Sequence, residues 1–263
     1  MDGLIRIGRV VFAVAMMCFG ALFVVYASGM SGPVPGPPWM AGSHAVAWLV
    51  GIAFIAVGIC IVLLWQGRAA ANLLGVALLL WMLFVYVPRL VAHIHDPGPW
   101  TSGFEVLAMS GAASVLAGML PVKKLDFGAG GSNAQRVLVE AGRYMFAISL
   151  VVFGVQHFMY AAFVATLVPA WIPGHLFWAV FVGVAFVAAA LSIALKKYAR
   201  LAGILLGAMF LLWVVILHAP RVAASRHNGN EWTSWFVALA MGGASFVIAS
   251  SLPRDGVRAM TRA

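Results

Sequence analysis

Charged residues are scarce in this chain. They make up 9% of its 263 residues, whereas hydrophobic residues make up 64% and the mean hydropathy is +1.03. A soluble globular domain is about half apolar and about a quarter charged. The apolar residues also fall in runs of roughly 18 to 23, enough to cross a bilayer as helix. The composition therefore excludes a water-soluble fold and predicts a membrane protein.

Cysteine and acidic residues are also rare. The two cysteines, Cys18 and Cys60, lie inside apolar runs, so they form no CxxC redox pair and are interpreted as small buried hydrophobic residues. Seven acidic and sixteen basic residues give a net charge of +9. The basic residues are spread over short segments between apolar runs, which favours topology signals and lipid headgroup contacts over nucleic acid as a partner.

Eight apolar stretches predict eight transmembrane helices, because the lipid core offers no partner for unpaired backbone groups. They are 8–30, 44–66, 69–88, 103–121, 141–165, 175–195, 199–218 and 232–252. The first is interpreted as a retained span, since it lacks a small-residue cleavage site. The predicted fold class is an all-α membrane protein.

The second half of the chain repeats the first, which indicates a duplication. Matching pairs are Gly8-Arg9 with Gly142-Arg143, Phe19-Gly20 with Phe153-Gly154, Leu80-Trp81 with Leu212-Trp213, Pro88-Arg89 with Pro220-Arg221, and Trp100-Thr101-Ser102 with Trp232-Thr233-Ser234. The offset is 134 residues in the first helix and 132 after it. Because each unit has an even number of helices, both units are predicted to share one orientation, unlike inverted transporter repeats.

The repeat sets the predicted domain organisation. Residues 1–122 form the first, diverged four-helix unit and residues 141–253 form the second. Residues 123–140 are predicted to be a flexible, Gly-rich cytoplasmic linker, and residues 254–263 a basic cytoplasmic tail. Thirteen basic residues lie on the side of both termini and three on the other side, which places the termini in the cytoplasm.

With this topology, all seven histidines fall on the predicted outer side. His157 and His218 lie within apolar stretches, where an ionisable residue is costly and indicates function by default, although a histidine bonded to a neighbouring helix is a structural alternative. Their counterparts in the first unit are Phe23 and Tyr86. We therefore expect a cavity with two histidines in the second unit and an aromatic version of it in the first.

Other polar residues on this side have simpler explanations beside functional ones. Arg89 and Arg221 follow prolines that are predicted to end their helices, so they cap the negative helix end and reach the headgroups. Glu105 is predicted in the first turn of the fourth helix, where the dipole favours it, but it is also placed to pair with Arg89 or to take a proton. His93, His95 and His227 are weak metal-ligand candidates, because short histidine spacings need a third fixed ligand.

Several segments of the second unit resemble the DoxX family of four-helix bacterial membrane proteins. They are Phe-Gly-Val-Gln-His-Phe at 153–158, Val-Pro-Ala-Trp-Ile-Pro-Gly-His-Leu-Phe-Trp at 168–178, the basic turn at 197–202 and Glu-Trp-Thr-Ser at 231–234. The resemblance implies site residues His157, Trp171, Pro173, His175, Trp178 and Glu231, with Glu105 in the first unit. It also implies a membrane partner of a redox enzyme in the bacterial inner membrane, since the family is associated with thiosulfate:quinone oxidoreductase.

These observations lead to one functional expectation and three alternatives. The expected site is an outer cavity for a quinone or another flat apolar molecule. Its candidate residues are His157, Trp171, His175, Trp178, His218 and Arg221, with Tyr86, Arg89 and Glu105 from the first unit. The alternatives are a b-type haem between His157 and His218, a non-catalytic scaffold or assembly partner of a larger redox complex, and a small-solute transporter. Enzymatic activity of the chain itself stays open.

Overall fold

The structure, a computed structural model, describes residues 3–27, 43–121 and 132–253. Within these ranges the secondary structure is helical, without strands. The elements are α1 (Gly3–Ala27), α2 (His44–Leu63), α3 (Gly67–Trp81), a first π-turn (Met82–Tyr86), α4 (Val87–Ala92), α5 (Pro97–Met119), α6 (Ser132–Met159), α7 (Ala161–Leu167), α8 (His175–Leu195), α9 (Ala199–Trp213), a second π-turn (Val214–His218), α10 (Ala219–Ala224) and α11 (Gly229–Ser250).

Eight helical segments of the described chain are long and apolar enough to cross a membrane. Two of them are composite: α3, the first π-turn and α4 form the span Gly67–Ala92, and α9, the second π-turn and α10 form Ala199–Ala224. Many large apolar side chains are exposed on the outside of the bundle, as expected for a surface solvated by lipid. The prediction of an all-α protein with eight membrane-spanning helices is confirmed.

Polar caps and tight turns fix where the helices begin. Asp96 accepts a hydrogen bond from the Gly98 N–H at 2.9 Å at the start of α5, and Asn228 accepts one from the Asn230 N–H at 3.0 Å at the start of α11. At the opposite end of the bundle, α2 ends at the left-handed residue Leu64 and α8 at the left-handed residue Lys196. These positions lie 132 residues apart in each pair, so equivalent signals delimit both halves.

The two halves join through their first and last helices. Helix α1 packs on α11, and α6 packs on α5, while α5 and α11 also contact each other. Two glycines allow the α5–α6 approach: a Cβ on Gly111 would lie within 2.4 Å of the Gly142 carbonyl oxygen. At the matching α1–α11 contact, a Cβ on Gly243 would lie within 2.4 Å of the Phe12 nitrogen. Small residues thus let the helix backbones come close, as is common in membranes.

The element order of the second half follows that of the first. The π-turns, the short helices α4 and α10, and the starts of α5 and α11 each differ by 132 residues. The helix order and the caps therefore agree with the duplication. The arrangement of the halves as two equivalent repeats in space stays a prediction.

Two sequence expectations about the third, fourth and seventh helices are corrected. Pro88 and Pro220 do not end their helices, because a π-turn precedes each proline and the chain continues as helix to Ala92 and Ala224. The fourth helix begins at Pro97 and not at residue 103, since Asp96 provides the cap. Glu105 therefore lies in the third turn of α5, beyond the influence of the N-terminal dipole.

The middle of the chain also differs from expectation. Helix α6 begins at Ser132, so residues 132–140 of the expected linker are helical. The expected helix 141–165 is divided at Tyr160 into α6 and the short α7. Three parts of the predicted organisation lie outside the described residues: positions 28–42 of the first unit, positions 123–131 of the linker and the tail 254–263.

Candidate functional site

A cavity of about 690 Å³ opens among the helices of the second half, toward the predicted outer end. Its walls are largely aromatic and aliphatic, and the aromatic members are Phe153, Tyr160, Phe163, Trp178, Phe186, Phe210 and Trp213. The polar lining residues include both intramembrane histidines, His157 and His218, together with Glu105 from the first half. A cavity of this size with few convergent polar groups is typical of a small-molecule site.

His157 is held by its own helix and by an aromatic neighbour. Its Nδ1 lies 2.8 Å from the Phe153 carbonyl oxygen, which can only accept, so in the neutral ring Nδ1 donates this bond. The ring packs edge-on against Phe186, with 5.1 Å between centroids. This geometry fixes the tautomer and leaves Nε2 as the acceptor atom of the imidazole.

His218 is the last residue of the second π-turn. Its Nδ1 is buried and has no hydrogen-bond partner among the described residues. Arg221 lies about one turn further and makes a bidentate ion pair with Glu231, with both N–O distances at 2.8 Å. A buried ring nitrogen without a partner is costly, so packing alone does not account for a histidine at this position.

The π-turn that carries His218 follows from the proline after it. Pro220 has no N–H and its ring clashes with the carbonyl four residues earlier, so the preceding helix turn widens. The Ala219 N–H accordingly bonds to the Val214 carbonyl, five residues back. The first π-turn has the same bond from Val87 to Met82 before Pro88. Single π-turns within α-helices recur at functional sites, and here the two π-turns end at Tyr86 and His218.

A polar rim joins α5 to α6 at one side of the cavity. Thr101 Oγ1 lies 3.0 Å from Gln156 Oε1, and Gln156 Nε2 donates to the Pro97 carbonyl oxygen at 3.1 Å. Glu105 lies one helical turn below Thr101 on the same face of α5. Gln156 is not among the site residues predicted from the sequence. The available sequence signal was that Gln156 is a polar residue directly before His157 in an apolar helix.

A second, smaller cavity of about 130 Å³ lies in the first half. Phe23 and Tyr86 line it, as the aromatic version expected from the sequence, and so does Glu105. The other lining residues are Phe19, Phe54, Ala77, Leu78, Trp81, Ser102, Val106, Met109, Thr233 and Val237. The Arg89 guanidinium lies 5.9 Å from the centre of the Tyr86 ring.

The two cavities are built from equivalent positions. Every residue that lines the smaller cavity, Ala77 excepted, has its counterpart 132 or 134 residues away on the wall of the larger one. Phe23 corresponds to His157 and Tyr86 to His218, so two aromatic residues of the smaller cavity are histidines in the larger one. The equivalent wall positions also differ at Leu78/Phe210, Glu105/Val237 and Val106/Ala238. Glu105 and Val237 line both cavities, which places them where the two sites meet.

The remaining candidates from the sequence are not all part of a cavity. Trp178 lines the larger one and donates its indole N–H to the Pro173 carbonyl oxygen at 3.1 Å. Trp171 is 70% exposed and His175 is half-buried at the start of α8, and neither is on the described cavity walls. Arg221 is also outside these walls but pairs with Glu231 beside His218.

The weak metal-ligand candidates from the sequence lie outside both cavities. His93, His95 and His227 are exposed at the outer loops. Among the described residues, no three histidine, cysteine, aspartate or glutamate side chains are close enough to hold a metal ion. A metal centre at these histidines is therefore not supported.

Residues 146–241 match a family described as a domain of unknown function, DUF8561. The match covers less than half of the chain, but it includes both cavity histidines and the second π-turn. No curated protein matches the chain. No solved structure matches it.

Proposed function

We propose that this protein binds a quinone-class molecule in the larger cavity. The observation that carries the proposal is that His157 and His218, from two different membrane-spanning helices, line one largely apolar cavity. A quinone needs a hydrogen-bonding group at each of its two oxygens and aromatic or aliphatic walls around its ring. The DoxX-like segments at 153–158 and 168–178 are consistent with such a redox-linked ligand.

The tautomer of His157 favours the reduced ligand at that side. Because Nδ1 donates to the Phe153 carbonyl, Nε2 of the neutral ring accepts a hydrogen bond and does not donate one. A quinol hydroxyl supplies the donor that Nε2 requires, whereas a quinone carbonyl does not. His218 lines the same cavity and is the second imidazole that would bond the ligand.

Aromatic residues and Glu105 complete the proposed site. Trp178, Phe186 and Trp213 give flat walls for the ligand ring. Glu105 contributes a carboxyl group within this apolar lining, where a neutral carboxylic acid is less costly than a carboxylate. Its proton would make it a hydrogen-bond donor to a ligand oxygen.

A b-type haem fits the cavity walls less well. The two histidines offer imidazole ligands from separate helices, as the haem alternative requires. However, the charged residues on the described walls are the acids Asp96 and Glu105, with no arginine or lysine to neutralise the two haem propionates. An optical spectrum of protein expressed with added haem tests this alternative, since bound haem gives a Soret band.

The proposed setting is the bacterial inner membrane, with both termini in the cytoplasm and the cavity toward the periplasm. The supporting observation is the distribution of basic residues, thirteen on one side and three on the other. In this proposal the protein is a membrane subunit of a larger redox complex. The scaffold alternative needs no ligand, so replacing both cavity histidines would leave it intact.

Quinone extraction from the purified protein tests the proposal. We expect quinone to copurify with the wild-type protein in lipid nanodiscs, and to bind about thirtyfold more weakly to the double variant His157→Phe and His218→Phe, since each of the two lost hydrogen bonds costs about 1 kcal/mol. His175→Phe is the matched control, because His175 lies in the same half but off the described cavity walls. Equal quinone content in all three proteins, or none in any, would contradict the proposal.

A further inference from the structure

The smaller cavity has the dimensions of a ligand site for one ring. Its volume is about 130 Å³, compared with about 690 Å³ for the larger one. An engineered apolar cavity of about 150 Å³ in another protein stays dry and binds benzene. Phe19, Phe23, Phe54 and Trp81 give this cavity aromatic walls that suit a flat guest.

Polar groups on the walls distinguish this cavity from a purely apolar void. Tyr86, Ser102, Glu105 and Thr233 all line it, and Tyr86 is only 2% exposed. Thr233 donates its hydroxyl proton to the Gly229 carbonyl at 2.9 Å, so its oxygen keeps acceptor capacity. Hydroxyl and carboxyl groups in apolar surroundings require partners, and a guest without a polar atom would supply none.

We infer that the smaller cavity is a second ligand site, which takes a single aromatic ring bearing a hydroxyl group, that is, a molecule of the phenol class. The ring fills the volume between the phenylalanine and tryptophan walls. The hydroxyl both donates and accepts, and so matches the mixed set of Tyr86, Ser102, Glu105 and Thr233. Most of this site lies in the first half of the chain, with Thr233 and Val237 contributed by α11, and only Glu105 and Val237 are shared with the larger cavity.

Ala77 offers a way to fill this cavity without disturbing the core. It lines the cavity and is itself exposed, so a larger side chain there narrows the site from its edge. It is also the lining residue without a counterpart on the wall of the larger cavity. The adjacent Val76 is 47% exposed, is not on the described walls, and provides the matched position on the same helix.

Fluorine NMR of the full chain in lipid nanodiscs tests the inference with para-fluorophenol as the probe and empty nanodiscs as the partition control. We expect a saturable shift with the wild-type protein and with Val76→Phe, and its loss with Ala77→Phe. Fluorobenzene, which lacks the hydroxyl, should bind about fivefold more weakly, because it forgoes a hydrogen bond to the polar wall groups that is worth about 1 kcal/mol.

Two results would overturn the inference. One is a probe signal no larger than that of empty nanodiscs. The other is a shift that persists in Ala77→Phe, since the probe would then occupy the larger cavity. Quinone content is measured on the same samples to distinguish the smaller cavity from the larger one. Ala77→Phe should leave quinone copurification unchanged while it abolishes para-fluorophenol binding.

Discussion

Glu105 on α5 and Val237 on α11 occupy matching positions 132 residues apart, and each lines both cavities. Helices α5 and α11 contact each other in the middle of the bundle. A single carboxyl group and a valine side chain therefore lie where the two cavities meet. Ligands in either cavity would share this one acidic group.

Glu105→Val introduces the residue that occupies the equivalent position 237. It should raise thermal stability and weaken ligand binding. No salt bridge to Glu105 is present among the described residues, so the fold loses little and is relieved of a carboxyl in apolar surroundings. We expect the thermal unfolding midpoint to rise by about 2 to 4 °C. Quinone content should fall about tenfold, because a ligand oxygen loses its partner.

The reverse change, Val237→Glu, is the control for this prediction. It adds a second carboxyl group beside the first, and we expect a lower unfolding midpoint because the two acids repel each other or must both be protonated. A fall in stability for Glu105→Val would show instead that the carboxyl group holds the helices together.

Pro220→Ala tests the origin of the π-turn. Alanine restores the missing N–H and removes the ring clash, so residues 214–218 are expected to return to regular α-helix. His218 would then rotate about the helix axis and leave the cavity wall. We expect higher thermal stability together with about tenfold lower quinone content.

Pro88→Ala makes the same change in the first half and is the matched control. It should alter the surroundings of Tyr86 and the binding of para-fluorophenol, while quinone content stays at the wild-type level. Unchanged quinone content in Pro220→Ala would show that the proline does not position His218.

Gly142→Leu should prevent the two halves from closing together. A Cβ on Gly142 would already lie within 2.3 Å of the Gly111 carbonyl oxygen, and backbone cannot yield as a flexible side chain can. We expect a loss of more than about 3 kcal/mol, seen as little folded protein in a fluorescence size-exclusion assay. Gly3→Leu, where a Cβ meets nothing within 4 Å, is the control and should behave as the wild type.

The number of spans could be predicted because hydrophobicity along the chain is a one-dimensional property. The outer ends of the third and seventh spans could not be predicted. They depend on the π-turns before Pro88 and Pro220, which allow the helix to continue past each proline. The tight pairing of Gly111 with Gly142 is also not visible in a linear pattern, because close approach is a property of two helices.

The candidate site was partly predictable from the repeat. Comparing His157 with Phe23 and His218 with Tyr86 identified two positions on the walls of both cavities at which histidine takes the place of an aromatic residue. The rim bond between Thr101 and Gln156 was not predictable, because it joins helices from different halves of the chain. Trp171 shares a motif with Trp178, but only the three-dimensional course of the loop before α8 leaves it exposed.

The first helix of each half packs against the last helix of the other half. This packing has a consequence for the evolution of the protein. A single unit with this packing would leave both faces uncovered and would close only against a second copy. In that homodimer the positions of Glu105 and Val237 would carry the same residue, so both cavities would have the same side chain there. Under the predicted duplication, a single polypeptide removes this constraint, so that one position holds an acid, its counterpart holds a valine, and the two cavities can specialise separately.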